Sequence, residues 1–226
     1  MILSESTLPV ALVTGAARGI GLATAQWFLA HGHRVAMLDI DAEELAKAAQ
    51  PYRDDARVLA LRCDVSHPSQ VLESVAGIES RFGRIDALVN NAGVAVFKAL
   101  GETTFDEWRY VMATNLDGAF LCSQACVPVM LKSGGGAIVN IASISGLRAS
   151  TLRVAYGTSK AALIHFTRQQ AAELGTLGIR ANAIAPGPVE TEMARLVHTP
   201  AIRADYHDSI PLGRYGTMEE IRSEER

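Results

Sequence analysis

V-A-L-V-T-G-A-A-R-G-I-G, Val10 to Gly21, decides how this chain is read. Val10–Thr14 is a short apolar run that suits one buried strand, and Gly15 stops it. Beyond the glycines, Ile20, Ala23, Trp27 and Phe28 fall at helical spacing, which predicts a helix to about His31. A strand, a glycine turn and a helix in that order make a phosphate site. The glycines let the backbone turn tightly and approach a pyrophosphate, and the helix start offers free N–H groups and a positive dipole end. Gly15, Gly19, Ile20 and Gly21 are therefore candidate contacts to a dinucleotide. Arg18 either lies over its phosphates or adenosine, or is a solvated loop charge.

Downstream, the same alternation repeats. Arg34–Asp39 reads as a second strand buried on both faces. Asp39 closes it, 24 residues after Gly15. An acid there accepts hydrogen bonds from an adenosine ribose and repels a 2′-phosphate, which points to NAD rather than NADP. The competing reading is a helix N-cap for Asp41–Gln50, a place Asp41 fills equally well. Further strands are predicted at Val58–Leu61, Ala87–Asn90, Ala137–Ile141 and Ile179–Ala185. Helices are predicted at Pro68–Phe82, Thr104–Thr114 and Gly118–Lys132, and another, carrying Tyr156 and Lys160, runs to about Leu174. N-N-A-G, Asn90 to Gly93, sits at a strand's carboxyl end and suits either a passing ligand edge or a plain turn. Strands alternate with helices and no linker divides the chain. That is a single doubly wound α/β domain of Rossmann type with a parallel sheet.

Composition narrows the function classes. The 226 residues suit one sizeable domain. A formal charge of −3 and the lack of a Lys/Arg-rich run argue against nucleic acid. No apolar stretch of about 18 residues exists to span a membrane, and the N-terminus lacks the pattern of a signal peptide. Cys63, Cys122 and Cys126 have no metal spacing and read as buried free thiols of a reducing compartment. The six histidines form no ligand cluster and read as structural or exposed. A cytoplasmic protein without a metal is the expectation.

Ser143 to Lys160, S-I-S-G-L-R-A-S-T-L-R-V-A-Y-G-T-S-K, carries the chemistry. A hydroxyl closes an apolar run, and Tyr156 and Lys160 share one face of a helix at i, i+4. A tyrosine is a poor base at its ordinary pKa of about 10, and a fixed positive charge beside it favours the phenolate. Ser143 would hold a substrate oxygen next to that phenol. Taken alone, Tyr-x-x-x-Lys also fits an ordinary surface pair.

T-G-A-A-R-G-I-G, Asp64-Val65, N-N-A-G, Asn115, Ser143, Y-G-T-S-K and P-G-P-V-E-T stand in one order and register from about Val10 to Gly216. Together they resemble the short-chain dehydrogenase/reductase family. The resemblance implies that Tyr156 is the acid/base. It makes Lys160 the residue that tunes Tyr156 and holds the nicotinamide ribose, and Ser143 the residue that orients the substrate oxygen. Asn115 would kink its helix and extend a proton relay. Asp64 and Val65 would contact the adenine, Asn91 and Gly93 the adenosine side, and Val189 and Thr191 the nicotinamide carboxamide. The activity implied is hydride transfer between NAD and a secondary alcohol or ketone, leaning towards sugar alcohols or polyols, with 3-oxoacyl and hydroxysteroid substrates behind. A dinucleotide-binding protein without turnover is the other reading. A homo-oligomer, dimer or tetramer, is implied as well.

The ending departs from that pattern. I-P-L-G-R-Y-G-T-M-E-E-I, Ile210 to Ile221, resembles the lead into a last helix and strand, yet only R-S-E-E-R follows. The expectation is a domain shortened at its C-terminus, with the sixth strand as an open edge.

Overall fold

The computed structural model describes residues 8–222. The first strand, β1 (Val10–Thr14), is wholly buried, and α1 (Gly19–Ala30) follows the glycine turn. Then come β2 (Arg34–Asp39), α2 (Ala42–Ala49), β3 (Val58–Arg62), α3 (Pro68–Phe82) and β4 (Ala87–Asn90). The second half holds α4 (Phe105–Met112), α5 (Gly118–Lys132), β5 (Gly136–Ile141), α6 (Val154–Leu174) and β6 (Ile179–Ile184). Three short helices close it: α7 (Glu192–Val197), α8 (Pro200–Ser209) and α9 (Met218–Arg222).

The six strands form one parallel sheet in the order β3-β2-β1-β4-β5-β6. The doubly wound reading is met. Alternation along the strands sends side chains to two cores. Val10 and Leu12 of β1 face the layer with Val71, Val75 and Ile78 of α3 and Cys122, Cys126 and Val129 of α5. Val13 faces the layer with Ala25 and Leu29 of α1 and Leu45 of α2. All three cysteines are free and buried in the first layer, and burial pushes the Cys126 thiol up to about 12. No helix among the described residues is long and apolar enough to cross a membrane.

The chain order reverses between β1 and β4, and in such sheets a ligand crevice opens there, beyond the strands' carboxyl ends. Thr14 and Asn91 stitch that point together. The Thr14 hydroxyl accepts from the backbone N–H groups of Asn91 and Ala92, both at 3.0 Å, and donates to the Val89 carbonyl at 3.3 Å. The Asn91 amide donates to the carbonyls of Thr14 and Gly15 at 2.9 and 3.0 Å.

Two predicted helices, Thr104–Thr114 and Gly118–Lys132, are one continuous path. A π-helical turn, Ala113–Asp117, joins α4 to α5, with buried Asn115 at its centre. Beyond β6 no further strand pairs among the described residues, and Ile184 is 38% exposed.

Candidate active site

A cleft of about 710 Å³ runs across the carboxyl ends of the strands. Gly15, Arg18, Gly19, Ile20, Asp39, Asp64, Val65, Asn91, Gly93, Val189 and Thr191 line it, and so do Ser143, Tyr156 and Lys160. Gly21 and Asn115 stand just behind that wall.

At one end lies the glycine turn. Gly15 has φ +63°, a left-handed conformation that only glycine adopts without strain. Gly21 is needed for a different reason. A Cβ there would lie 2.1 Å from the Gly15 carbonyl oxygen and 2.5 Å from the Asn91 amide nitrogen. Gly21→Ala is therefore expected to cost at least about 2 kcal/mol, since rigid backbone must move. A melting curve measures it, and an unchanged Tm would contradict the packing described.

Asp39 and Asp41 divide the work expected of one residue. Asp41 is the N-cap of α2, accepting from the Glu44 N–H at 3.1 Å. Asp39 instead accepts from the N–H groups of Ala17 and Asp41, each at 3.0 Å, so its carboxylate braces the glycine turn. Lone pairs remain on both its oxygens for a ligand. Arg18 is neither free nor simply solvated. It pairs with Asp41 at 2.5 Å and with Glu192 at 3.2 Å, tying the turn to α7. The Asp64 carboxylate accepts from the Ser66 N–H and hydroxyl and faces His67 at 3.0 Å. Thr191 caps α7, accepting from the Ala194 N–H, and its methyl lies near Gly19. Buried Val189 bridges to Gly216.

Nearer the middle, α6 presents Ala155, Ser159, Lys160, Leu163, Thr167 and Gln170 inward, a stripe at three- and four-residue steps that fixes how the helix sits. Tyr156 stands at the edge of that stripe, over the cleft. The side chain of buried Ser143 acts on that phenol, favouring its ionised form. The Ser143 oxygen also accepts from the Ser145 N–H at 3.1 Å, which locks it at the end of β5. Lys160 is buried, donates to the Ile141 carbonyl at 2.7 Å, and lies 5.8 Å from the centre of the Tyr156 ring. Asn115 accepts from the Val94 N–H at 2.8 Å and donates to the Val94 carbonyl and the Ser159 hydroxyl, both at 3.0 Å. It thereby clamps the strand-end loop to α6, with Gly93 leaving room between Asn115 and Lys160. A π turn is what aims the Asn115 side chain there.

Electrostatics departs from the expectation in one respect. Burial pushes the Tyr156 phenol above its ordinary value, with the Ser143 side chain and the Arg153 charge acting the other way. Burial also pulls the Lys160 ammonium down to about 8. At Tyr156, desolvation thus outweighs the positive charge of Arg153.

The far end of the cleft holds residues that sequence reasoning missed: Phe97, Arg153, His198 and Tyr206. His198, expected to be structural or exposed, stacks on Phe97 with ring centres 5.9 Å apart, and its Nδ1 is 3.0 Å from the Tyr215 hydroxyl. Among the described residues no cluster of three or more His, Cys, Asp or Glu could hold a metal.

The switch-point cleft, glycine turn and Tyr-Lys helix define a dinucleotide-dependent oxidoreductase class, and comparison with known proteins agrees. The family model described as enoyl-(acyl carrier protein) reductase matches residues 15–223. The chain belongs to the short-chain dehydrogenase/reductase family. It is 41% identical over 220 residues to a 2-(R)-hydroxypropyl-CoM dehydrogenase of Xanthobacter autotrophicus, covering 94% of this chain and 87% of that one. It is 40% identical over 213 residues to a D-threitol dehydrogenase of Mycolicibacterium smegmatis, covering 94% and 82%. A solved gluconate 5-dehydrogenase from Burkholderia cenocepacia, in complex with NADP and tartrate, superposes with TM-score 0.88 at 35% identity, covering 95% and 85%. The chain is an oxidoreductase of a family that uses a nicotinamide cofactor.

Proposed function

We propose that the chain interconverts a secondary alcohol and its ketone with NAD(H), acting on a polyol or sugar alcohol. One observation carries the reading: a phenol and a hydroxyl, Tyr156 and Ser143, share one wall of a large cleft, with a buried ammonium, Lys160, behind them. The cradle fits a dinucleotide. Gly15 and Gly19 present bare backbone to the cleft, and Asp39 offers unused lone pairs at the adenosine end. When bound, the nicotinamide supplies or accepts the hydride.

The chain's own residues do the rest. Ser143 donates to the substrate oxygen and fixes it beside the phenol. In reduction, Tyr156 gives its proton to that oxygen as negative charge develops; in oxidation it takes the proton back. Lys160, with one N–H on the Ile141 carbonyl, has two left to face the cleft, where its charge stabilises a Tyr156 phenolate and holds ribose hydroxyls. Asn115 keeps Lys160's surroundings in place and forms the inner end of a proton path. The polyol reading draws support from the Mycolicibacterium relative, whose name is a threitol dehydrogenase. A homo-oligomer built across the outer faces of α5 and α6 is proposed with it; half-exposed Phe120 packs beside Phe166 there.

The preference for NAD rests on charge. Asp39, Asp41 and Glu192 line the cleft around a single guanidinium, Arg18, which Asp41 and Glu192 already pair. A 2′-phosphate would add two more negative charges to that cluster. The Burkholderia neighbour carries NADP in its complex, so both cofactors are to be titrated. Asp39→Ala is expected to weaken NADH binding roughly tenfold and to narrow its margin over NADPH, losing about one charge-assisted hydrogen-bond pair. Fluorescence titration reads both constants. An unchanged ratio would leave Asp39 only its bracing role. A screen of polyols with NAD and of the matching ketones with NADH tests the reaction itself, and silence across it would sink the reading.

A further inference from the structure

Beyond Tyr156 the cleft is walled by Phe97, Arg153, His198 and Tyr206. Arg153 is half-buried, with its guanidinium 4.6 Å over the Phe97 ring and 5.7 Å from the Tyr206 ring centre. It donates to the Tyr206 hydroxyl at 3.0 Å, the Thr151 carbonyl at 3.1 Å and the Ser150 hydroxyl at 3.4 Å. Those bonds use three of its five donors. No carboxylate lies within ion-pair distance of it among the described residues. Other arginines nearby differ. Arg18 faces Asp41 and Glu192, Arg195 and Arg203 share Glu190, and Arg214 holds Glu220.

The cleft is therefore polarised. Its acids, Asp39, Asp41, Asp64 and Glu192, belong to the nucleotide side, and Glu192 is spent on Arg18. The ionisable groups of the substrate end are Arg153, His198, Lys160 and the phenols of Tyr156 and Tyr206. A guanidinium held over an aromatic ring with no carboxylate beside it keeps its planar fork ready for an oxyanion. A wall built only to pack would not need that charge.

We propose that the substrate carries an anionic group, and that Arg153 seats it while Ser143 and Tyr156 hold the reacting oxygen. This rests on the oxidoreductase reading above and narrows its substrate: a ketone or secondary alcohol, a polyol-derived one included, that also bears a carboxylate, sulfonate or phosphonate-like group. The competing role for Arg153 is a latch that fastens α8 through Tyr206.

The test compares reduction by NADH of levulinate, acetonesulfonate and acetonylphosphonate with that of neutral methyl levulinate. At least one anion is expected to exceed the ester in kcat/KM about tenfold or more, and Arg153→Gln to lower that ratio roughly 10- to 100-fold, with partial rescue by Arg153→Lys. Tyr206→Phe, which removes the latch and keeps the charge, is expected to preserve the ratio. Calorimetric binding of valerate to the protein saturated with NADH gives a readout independent of turnover, and Arg153→Gln is expected to abolish it. Equal use of ester and anions with no valerate binding overturns the proposal, as does Tyr206→Phe reproducing Arg153→Gln. Arg153-dependent valerate binding without turnover of any ketone would support the anion seat and defeat the oxidoreductase reading instead.

Discussion

Tyr156→Phe is expected to lower kcat by roughly 100- to 10,000-fold, the usual weight of a positioned general acid or base. NADH affinity is expected to stay within about twofold, because the ring that lines the cleft remains. Burial raises the Tyr156 phenol, so at neutral pH it holds its proton. Ketone reduction, which needs the phenol as acid, is then expected to run flat through neutral pH. Alcohol oxidation, which needs the phenolate, is expected to climb with pH. Paired pH profiles check this: an oxidation rate that peaks below neutral pH, or turnover retained by Tyr156→Phe, would remove Tyr156 from the acid/base role.

The second large effect joins activity to stability. Lys160→Met is expected to cut turnover by two or more orders of magnitude, as removal of a fixed charge at a reacting centre does, on the order of 100-fold. The same change is expected to raise the melting temperature near pH 7. Burial holds the Lys160 ammonium at about 8 against an ordinary 10.5, so the folded state carries a penalty wherever that amine is charged. A shift of that size corresponds to about 3 kcal/mol. The lost bond to the Ile141 carbonyl returns about 1 kcal/mol the other way. The net gain is about 2 kcal/mol, or on the order of 5 °C for a domain of this length. The sign follows from proton counting. Between about 8 and 10.5 the unfolded chain binds a proton that the folded chain does not. Folded stability from this group therefore rises with pH through that window, and below about 8 it stays level at its lowest. The advantage of the Met variant should shrink as the pH is raised from neutral to above that window. A variant that melts lower than the parent at pH 7 would contradict the burial argument.

What the sequence made legible were the parts governed by local rules. Arg34–Asp39, Pro68–Phe82 and Ala87–Asn90 occur with the predicted bounds. Strands buried on both faces announce themselves as apolar runs, and Pro68 and Gly83 mark both ends of α3. The glycine turn was readable because its backbone demands a residue type. Asn115 was readable as a position but not as a π turn, since one extra residue in a helix leaves no periodic mark. The far wall of the cleft was not readable at all. Phe97, Arg153 and His198 stand outside the long helices and strands, and only the tertiary fold brings them to Tyr206. Nor could sequence show that burial wins over charge at Tyr156. The i, i+4 spacing supplies the lysine, but the depth of the phenol is a property of the whole cleft.

The most direct test of the account follows label from NADH deuterated at the transferable nicotinamide position into a small panel of polyol-derived ketones, by mass spectrometry. The account predicts one deuterium at the carbinol carbon of the product with the parent chain, and none above background with Tyr156→Phe. A parent chain that binds NADH yet transfers no label to any ketone, or a Tyr156→Phe chain that transfers it as fast, would contradict it.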